Sequence, residues 1–508
     1  MDFKKSHKIK TINEIAALLQ SRGKQRLVYC HGVFDLLHIG HLRHFQQAKA
    51  QGDILVVSLT PDRWVDKGPH RPAFPEQLRA EALASLSCVD WVFINNWPTA
   101  VESIKLLGPD FYAKGTEFEE IISDRTGKIG LEKEAVESVG AKLIFTKDIV
   151  FSSSNLINRY FSNHPREVRE YLNLLRSRRS LEDLLGILDA MAGLKVLVIG
   201  DTILDEYQYC EPIGKSSKDP VLAVRHQTTD IYAGGILAIA NHVAQFAGQV
   251  ELLTVLGEDE SHEDFVRSSL SPRVRPFFFY QRGTPTLTKR RYVDGYTQNK
   301  LFEVYVMNDN GLDAARDQYL RSHLGDVVQD YDLVLAGDFG HGAVSQSTAD
   351  LLADSAPFLA LMTQANAGNR GFHTFTRYKR ADYVCVAEHE MRLEFRQANG
   401  EITALIPDAA SRMQSRLFTV TRGRRGCSVY DDQGSLVEIP AFAAKVVDRV
   451  GAGDAFLALT SLAAFLHAPP EVVGFLGNCI GSLAVEVVGN KKSIDRQSVE
   501  KLITSLMK

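Results

Sequence analysis

Tyr29-Cys30-His31-Gly32-Val33-Phe34-Asp35-Leu36-Leu37-His38-Ile39-Gly40-His41 is the stretch on which the fold turns. Leu27-Val28-Tyr29 reads as a strand, Gly32 as a turn, and Gly40 to about Ala50 as a helix that begins between two histidines. Further on, Ile54-Leu55-Val56-Val57, Trp91-Val92-Phe93-Ile94, Phe111-Tyr112-Ala113 and Leu143-Ile144-Phe145 read as strands, with a helix over Pro75 to Leu86. Strand–helix alternation of this kind predicts an α/β domain with a doubly wound parallel sheet. Ligands of such sheets sit at the carboxyl ends of the strands, where the strand order switches.

The same residues suggest a chemistry. A helix start presents free N–H groups and a positive dipole end, which favour phosphate. His38 and His41 beside it can donate hydrogen bonds to a phosphoryl group as negative charge develops. Gly40 lets a nucleotide approach the backbone closely. A polar helix cap would explain an isolated His-x-Gly-His; the strand–turn–helix context favours a site.

Beyond this domain, Ser162 to Met191 is highly charged, with Leu and Ile at helical spacing, and predicts a helical connector. Lys195-Val196-Leu197-Val198-Ile199-Gly200-Asp201 then opens a second α/β pattern that runs to the end. Val221 to His226 and Lys289 to Val306 are rich in β-branched and aromatic residues and predict a small antiparallel sheet apart from the main one. The expected fold class is therefore α/β with two doubly wound parallel-sheet domains, the second carrying a small β lid. The expected limits are 1–160, a helical linker over 161–193, and 194–508.

The second domain has its own strong signal in Val447-Asp448-Arg449-Val450-Gly451-Ala452-Gly453-Asp454-Ala455-Phe456. Small residues at Gly451, Ala452 and Gly453 let consecutive N–H groups turn inward at the start of an apolar helix, forming an anion hole. Asp454 beside it can accept the proton of an attacking hydroxyl.

Composition narrows the class. The 508 residues carry 58 Lys+Arg against 62 Asp+Glu, a formal net charge of -4, which gives no global attraction to nucleic acid or anionic lipid. With 45% hydrophobic and 24% charged residues, disordered and fibrous chains are excluded. The longest apolar stretch, Ala455 to Ala468, is too short to span a bilayer. The N-terminus holds no secretory core, and six scattered cysteines without a CxxC pair predict reduced thiols and a cytoplasmic enzyme. No P-loop pattern is present.

The first domain resembles the cytidylyltransferase-like nucleotidyltransferases, and in particular the adenylyltransferase half of bifunctional heptose-phosphate kinase/adenylyltransferases. Besides the His-Ile-Gly-His motif, the resemblance is carried by Lys67-Gly68, Arg71-Pro72, Pro75-Glu76-Gln77-Leu78-Arg79, Val89-Asp90-Trp91-Val92, Lys114-Gly115 and Phe151-Ser152-Ser153-Ser154-Asn155. It implies attack by a sugar 1-phosphate on the α-phosphate of ATP or CTP, with pyrophosphate leaving. His38 and His41 would stabilise the transferring group and Lys67 would neutralise triphosphate charge. Gly32, Phe34, Lys114 and Ser152 to Ser154 would hold the nucleotide. The charged stretch Glu117 to Glu134 is either a lid or a surface insertion. Class I aminoacyl-tRNA synthetases share His-Ile-Gly-His, but their partner motif is missing here.

The second domain resembles the ribokinase-like (PfkB) sugar kinases. Gly200-Asp201-Thr202-Ile203-Leu204-Asp205 looks like the family's sugar-binding turn, with Asp201 and Asp205 as hydroxyl acceptors. Gly234-Gly235 resembles its glycine pair, Thr284 to Arg291 its lid strand with Lys289 and Arg291 toward a sugar phosphate, and Asp338-Phe339-Gly340-His341-Gly342 its strand-end turn. Thr421, Gly423 and Gly426 resemble its nucleotide-side turn. The implied reaction is ATP-dependent phosphorylation of a sugar hydroxyl, with Asp454 as base, Mg²⁺ bridging phosphates, and a homodimer through the lid. Three departures stand out. Ala238 replaces an Asn, Ala387-Glu388-His389-Glu390 keeps only Glu390 of a magnesium-organising Asn-x-x-Glu, and the strand end reads Gln364-Ala365-Asn366.

Together these expectations describe a bifunctional sugar-activating enzyme with its domains in the order opposite to the heptose enzymes. Its partners would be a sugar phosphate and a nucleoside triphosphate, with no nucleic acid and no membrane. A second reading, resting on Ala238 and Ala387, is a cytidylyltransferase for a polyol or sugar phosphate with a degenerate kinase-like dimerisation domain. A third, a non-catalytic sugar- or nucleotide-binding regulator, conflicts with the retention of a base beside an anion hole.

Overall fold

The computed structural model describes residues 7–65, 72–115, 128–146, 165–308, 310–369, 371–443 and 445–507. The chain divides into two compact units, Met1–Ser162 and Asn163–Met507.

The first unit runs α1 (Ile12–Leu19), β1 (Leu27–Gly32), α2 (Ile39–Lys49), β2 (Ile54–Leu59), α3 (Glu76–Ala84), β3 (Trp91–Ile94), α4 (Val101–Leu107), β4 (Phe111–Gly115), α5 (Lys128–Ser138) and β5 (Lys142–Thr146). The strands pair in the order β3-β2-β1-β4-β5, all parallel. Alternate residues of β1 feed opposite faces. Leu27 and Tyr29 pack in one apolar cluster, Val28 and Cys30 in the other. Such two-sided burial is why β1 and β2 read as continuous apolar runs. The strand order reverses between β1 and β4, so the crevice opens where His31-Gly32 and Lys114-Gly115 end their strands.

The second unit begins with α6 (Arg166–Arg178) and α7 (Leu181–Met191). The sequence reads this segment as a connector. In the structure its apolar stripe, Val168, Leu172, Leu175, Leu184, Leu188 and Met191, is part of the second unit's core. Arg179 pairs with Glu471 at 2.8 Å, and Arg176 donates to the Leu506 carbonyl at 2.7 Å. Charged residues hide this docking from composition alone, because only one face of each helix is apolar.

Next come β6 (Lys195–Lys215), β7 (Leu222–Gly235), α8 (Ile236–Val243), β8 (Gln249–Asp259), α9 (Glu263–Ser269), β9 (Val274–Pro285), β10 (Thr288–Asp294), β11 (Lys300–Val306), α10 (Ala314–Val327), β12 (Leu333–Asp338) and α11 (Gln346–Ser355). The chain finishes with β13 (Leu359–Thr363), β14 (Tyr383–Ala387), α12 (Glu388–Glu394), α13 (Ile406–Arg412), β15 (Leu417–Thr421), β16 (Cys427–Asp431), β17 (Leu436–Ile439), α14 (Ala452–Phe465), α15 (Pro470–Ala484) and α16 (Arg496–Leu506). The strand β6 serves two sheets. Its first half lies between β8 and β12 in the parallel core, and its second half pairs with β7 and β10 in the lid. The lid adds β11 beyond β10. All six cysteines are unpaired thiols, and among the described residues no helix is long and apolar enough to cross a membrane.

Candidate active sites

In the first unit, His38 caps α2. Its Nδ1 accepts the Gly40 N–H at 3.2 Å, as an N-cap should. An accepting Nδ1 leaves the proton of the neutral ring on Nε2, which is buried with no hydrogen-bond partner among the described residues. Burial also lowers the His38 pKa, so the ring is neutral at pH 7. The His41 ring lies 3.9 Å from it, centroid to centroid. Two imidazoles thus share one helix start at the switch point of the sheet.

Phe34 adopts a positive φ and sets its ring edge-on to His41 at 5.5 Å and to Phe45 at 5.0 Å. A Cβ on Gly32 would lie 2.9 Å from the Phe34 ring, so glycine is needed there. Lys114 reaches Glu132 of α5 at 2.8 Å. Glu132 also accepts from Tyr112 OH at 3.0 Å and from the Ala100 N–H at 3.2 Å. Burial alone would raise the Glu132 pKa; the Lys114 ammonium, His31 and the Ala100 N–H together hold the carboxyl below its ordinary value. Lys114 is therefore anchored by a carboxylate, a partner that sits 18 residues away in sequence and that spacing did not reveal.

Arg79 is a second residue whose role the sequence reading missed. It is fully buried and donates to the carbonyls of Val33, Thr60 and Phe74 and to the Asp62 carboxylate. One guanidinium thereby fixes the loops after β1 and β2 that frame the histidines. Lys67 and Ser152 to Ser154 lie outside the described residues, as does most of the Glu117 to Glu134 stretch; its last part belongs to α5.

In the second unit a cleft of about 240 Å³ gathers Asp205, Gly235, Lys289, Arg291, Glu390, Thr421, Gly451, Gly453 and Asp454. Gly451 has φ 83°, and a Cβ there would lie 2.0 Å from Asn490 Oδ1. The left-handed turn starts α14, with Ala452 as its first residue, and leaves first-turn N–H groups without helical partners. Asp454 stands in that turn, buried. Burial, then the Asp205 charge, pushes its pKa up to about 7. Glu390 is likewise pushed up to about 7 by burial.

The lid supplies the opposite wall by strand alternation. Register pairs Asp205 with Lys289 and Tyr207 with Arg291, and of these Asp205, Lys289 and Arg291 line the cleft. Arg291 forms an ion pair with Asp205 and another with Glu303 at 3.1 Å. A Cβ on Gly234 would sit 2.2 Å from Asp205 Oδ2, so Gly234 makes room for this carboxylate. Lys289 is 4% exposed, and burial lowers its pKa.

Asp201, Gly423 and Gly426 fall outside the cleft. Asp201, expected to hold a sugar hydroxyl, instead accepts the backbone N–H groups of Phe339, His341 and Ala343 at 2.9, 3.3 and 2.9 Å, and it does not line the cleft. Gly423 and Gly426 shape the turn after Thr421, with Gly426 packed on the Ile439 carbonyl. Glu390 accepts the N–H groups of Ala365 and Ala387 at 3.1 and 2.7 Å. Among the described residues no group of three His, Cys, Asp or Glu could hold a metal. The donor set suits a magnesium ion that arrives on nucleotide phosphates, since Mg²⁺ commonly keeps waters and takes one or two carboxylates.

Residues 194–496 match the model of the pfkB family of carbohydrate kinases, and residues 29–159 match the cytidylyltransferase-like family. Bifunctional protein HldE of Syntrophotalea carbinolica is 36% identical over 158 residues, 30% of each chain. Its namesake in Geotalea uraniireducens is 41% identical over 141 residues, 27% of each chain. The matched part thus spans less than a third of these relatives. Among solved structures, phosphofructokinase-2 from Escherichia coli covers 62% of this chain and 100% of its own, with TM-score 0.51 and 14% identity. A ribokinase from Thermotoga maritima covers 61% of this chain and 99% of its own, with TM-score 0.50 and 17% identity. At such identities the likeness is one of fold. The chain is an α/β protein that belongs to the pfkB family of carbohydrate kinases, with a cytidylyltransferase-like match over residues 29–159 ahead of it.

Proposed function

We propose that this protein is a bifunctional sugar-activating enzyme. The kinase half (194–508) phosphorylates a heptose-like sugar phosphate with ATP. The nucleotidyltransferase half (1–160) converts a sugar 1-phosphate to a nucleotide sugar for surface polysaccharide. The observation that carries the reading is the convergence of Asp454, the Gly451 turn, Lys289 and Arg291 on one cleft. Asp454 takes the proton of the acceptor hydroxyl, whose oxygen attacks the γ-phosphorus while ADP leaves. A pKa near 7 suits a base at neutral pH. The N–H groups at Gly451 to Gly453 receive the charge that develops. Lys289 and Arg291 face the phosphate the acceptor already carries, and Thr421 marks the nucleotide side. Glu390 would help hold a magnesium ion brought with ATP, which would neutralise phosphate charge.

In the first unit His38 and His41 stabilise the α-phosphoryl group, with Lys67 and Ser152 to Ser154 on the triphosphate. The resemblance to adenylyl transfer favours ATP over CTP. The outer lid face supports a homodimer. Ile231, Phe302 and Val304 are 39%, 47% and 41% exposed, and register puts all three on the face away from the cleft. Six cysteines with no disulfide suit the cytoplasm.

The test is to incubate the protein with ATP or CTP and a panel of sugar phosphates, following ADP and pyrophosphate separately. Both products are expected. Background ADP with every sugar would remove the kinase half and leave the cytidylyltransferase reading that Ala238 and Ala387 support.

A further inference from the structure

We infer that Asp448 is a positioning residue that ties the lid strands to the anion-binding turn; this rests on the kinase reading of the second cleft. Asp448 precedes Gly451 in the same turn, and its side chain is only 10% exposed. Its carboxylate gathers five donors from three parts of the fold. The Lys300 ammonium of β11 lies 3.0 Å from Oδ1, and the Tyr207 hydroxyl of β6 donates to Oδ2 at 2.9 Å. The Gly489 N–H donates at 3.1 Å from the segment after α15. The N–H groups of Arg449 and Val450, in the turn itself, donate at 2.7 and 3.2 Å.

Tyr207 extends the connection into the cleft. Its ring is buried, with the Arg291 guanidinium 5.6 Å and the Lys300 ammonium 5.7 Å from the centroid. Arg291 is in turn paired with Asp205 in the cleft wall. A continuous set of contacts therefore runs from the acceptor wall, through the Tyr207 ring and hydroxyl, to Asp448 and the turn that carries Gly451 and Gly453. A nearly buried carboxylate needs its partners, and removing one leaves charge under-compensated. Two of the five donors belong to the lid. The inward orientation of the turn N–H groups is thus held by the lid as well as by the turn.

The test uses the full chain with Lys300→Met and Tyr207→Phe, neither of which touches Asp454. Hydrogen exchange of residues 448–454 is expected to quicken by about tenfold in both variants, although the substitutions lie on the lid. Unchanged exchange would overturn the inference, whatever the enzyme does. In turnover, kcat for ADP formation is expected to fall about tenfold with the KM for ATP kept, because misplacing the turn harms the reacting geometry. Pyrophosphate formation should stay unchanged, and Lys300→Arg should restore kcat. A raised KM at full kcat would make Lys300 a binding residue and overturn the inference too. If the unaltered protein forms no ADP, the kinase reading fails, while the exchange result still judges the connection between lid and turn.

Discussion

Both units place their candidate site residues at a helix start, yet burial sets the charge there in opposite ways. In the first, burial lowers the His38 pKa and leaves a neutral ring whose N–H can donate. In the second, burial raises two carboxyl groups to about 7, so that an acid becomes a base at working pH. The physical cause, desolvation of the charged form, is the same; the residue type gives it opposite sign. The supporting cations differ as well. Lys114 is matched by Glu132 within its unit, whereas Lys289 faces the cleft beside the Asp205–Arg291 pair.

The sharpest way to break this comparison is to remove each reacting group separately. Asp454→Asn should reduce ADP formation about 10⁴-fold and leave pyrophosphate formation intact. His41→Ala should do the reverse, with a loss of about 10³-fold confined to pyrophosphate formation. If either variant lowers both activities together, the two sites are not independent.

A smaller effect separates the units by stability. Arg79→Ala strips three carbonyls and a carboxylate of a buried donor and should cost the first unit about 3 kcal/mol. Denaturant unfolding followed by the tryptophans, Trp64, Trp91 and Trp97, which all lie in the first unit, should show the shift. Equal midpoints for variant and parent would mean that the loops hold their shape without Arg79.

Acidity gives the smallest and most diagnostic contrast. With Asp454 near 7, ADP formation should rise about tenfold from pH 6 to pH 8, while pyrophosphate formation, with the His38 pKa lowered, should change less over the same range. Stability should move the other way. The Asp454 pKa is raised on folding, so the contribution is complete below its ordinary carboxylate value and is lost as pH rises through about 7. Asp454→Asn should therefore flatten that decline in thermal melts. A parent protein whose melting is level across this range would contradict the burial argument.

Much of both candidate sites was legible in the linear chain because their residues are close neighbours in sequence. His38, Gly40 and His41 are neighbours on one helix start, and Gly451 to Asp454 on another. What could not be read were side chains whose meaning comes from distant partners. Glu132 looks like any surface glutamate in a charged run until α5 brings it to Lys114. Asp201 reads as a ligand-facing acid until the turn after β12 folds its amides onto it. The charged segment before Lys195 reads as a connector until its apolar stripe meets α14 and α16.

The sequence by itself determined where the two glycine-flanked helix starts lie, because helix starts, small residues and strand periodicity act over a few positions. It determined likewise that two α/β cores are present. Tertiary structure alone decided which charges remain available to a ligand. Burial and pairing set the protonation of Asp454, the anchoring of Lys114 and the joint hold of lid and turn on Asp448. Those quantities depend on distances of a few ångströms between residues tens to hundreds of positions apart, and no local pattern encodes them.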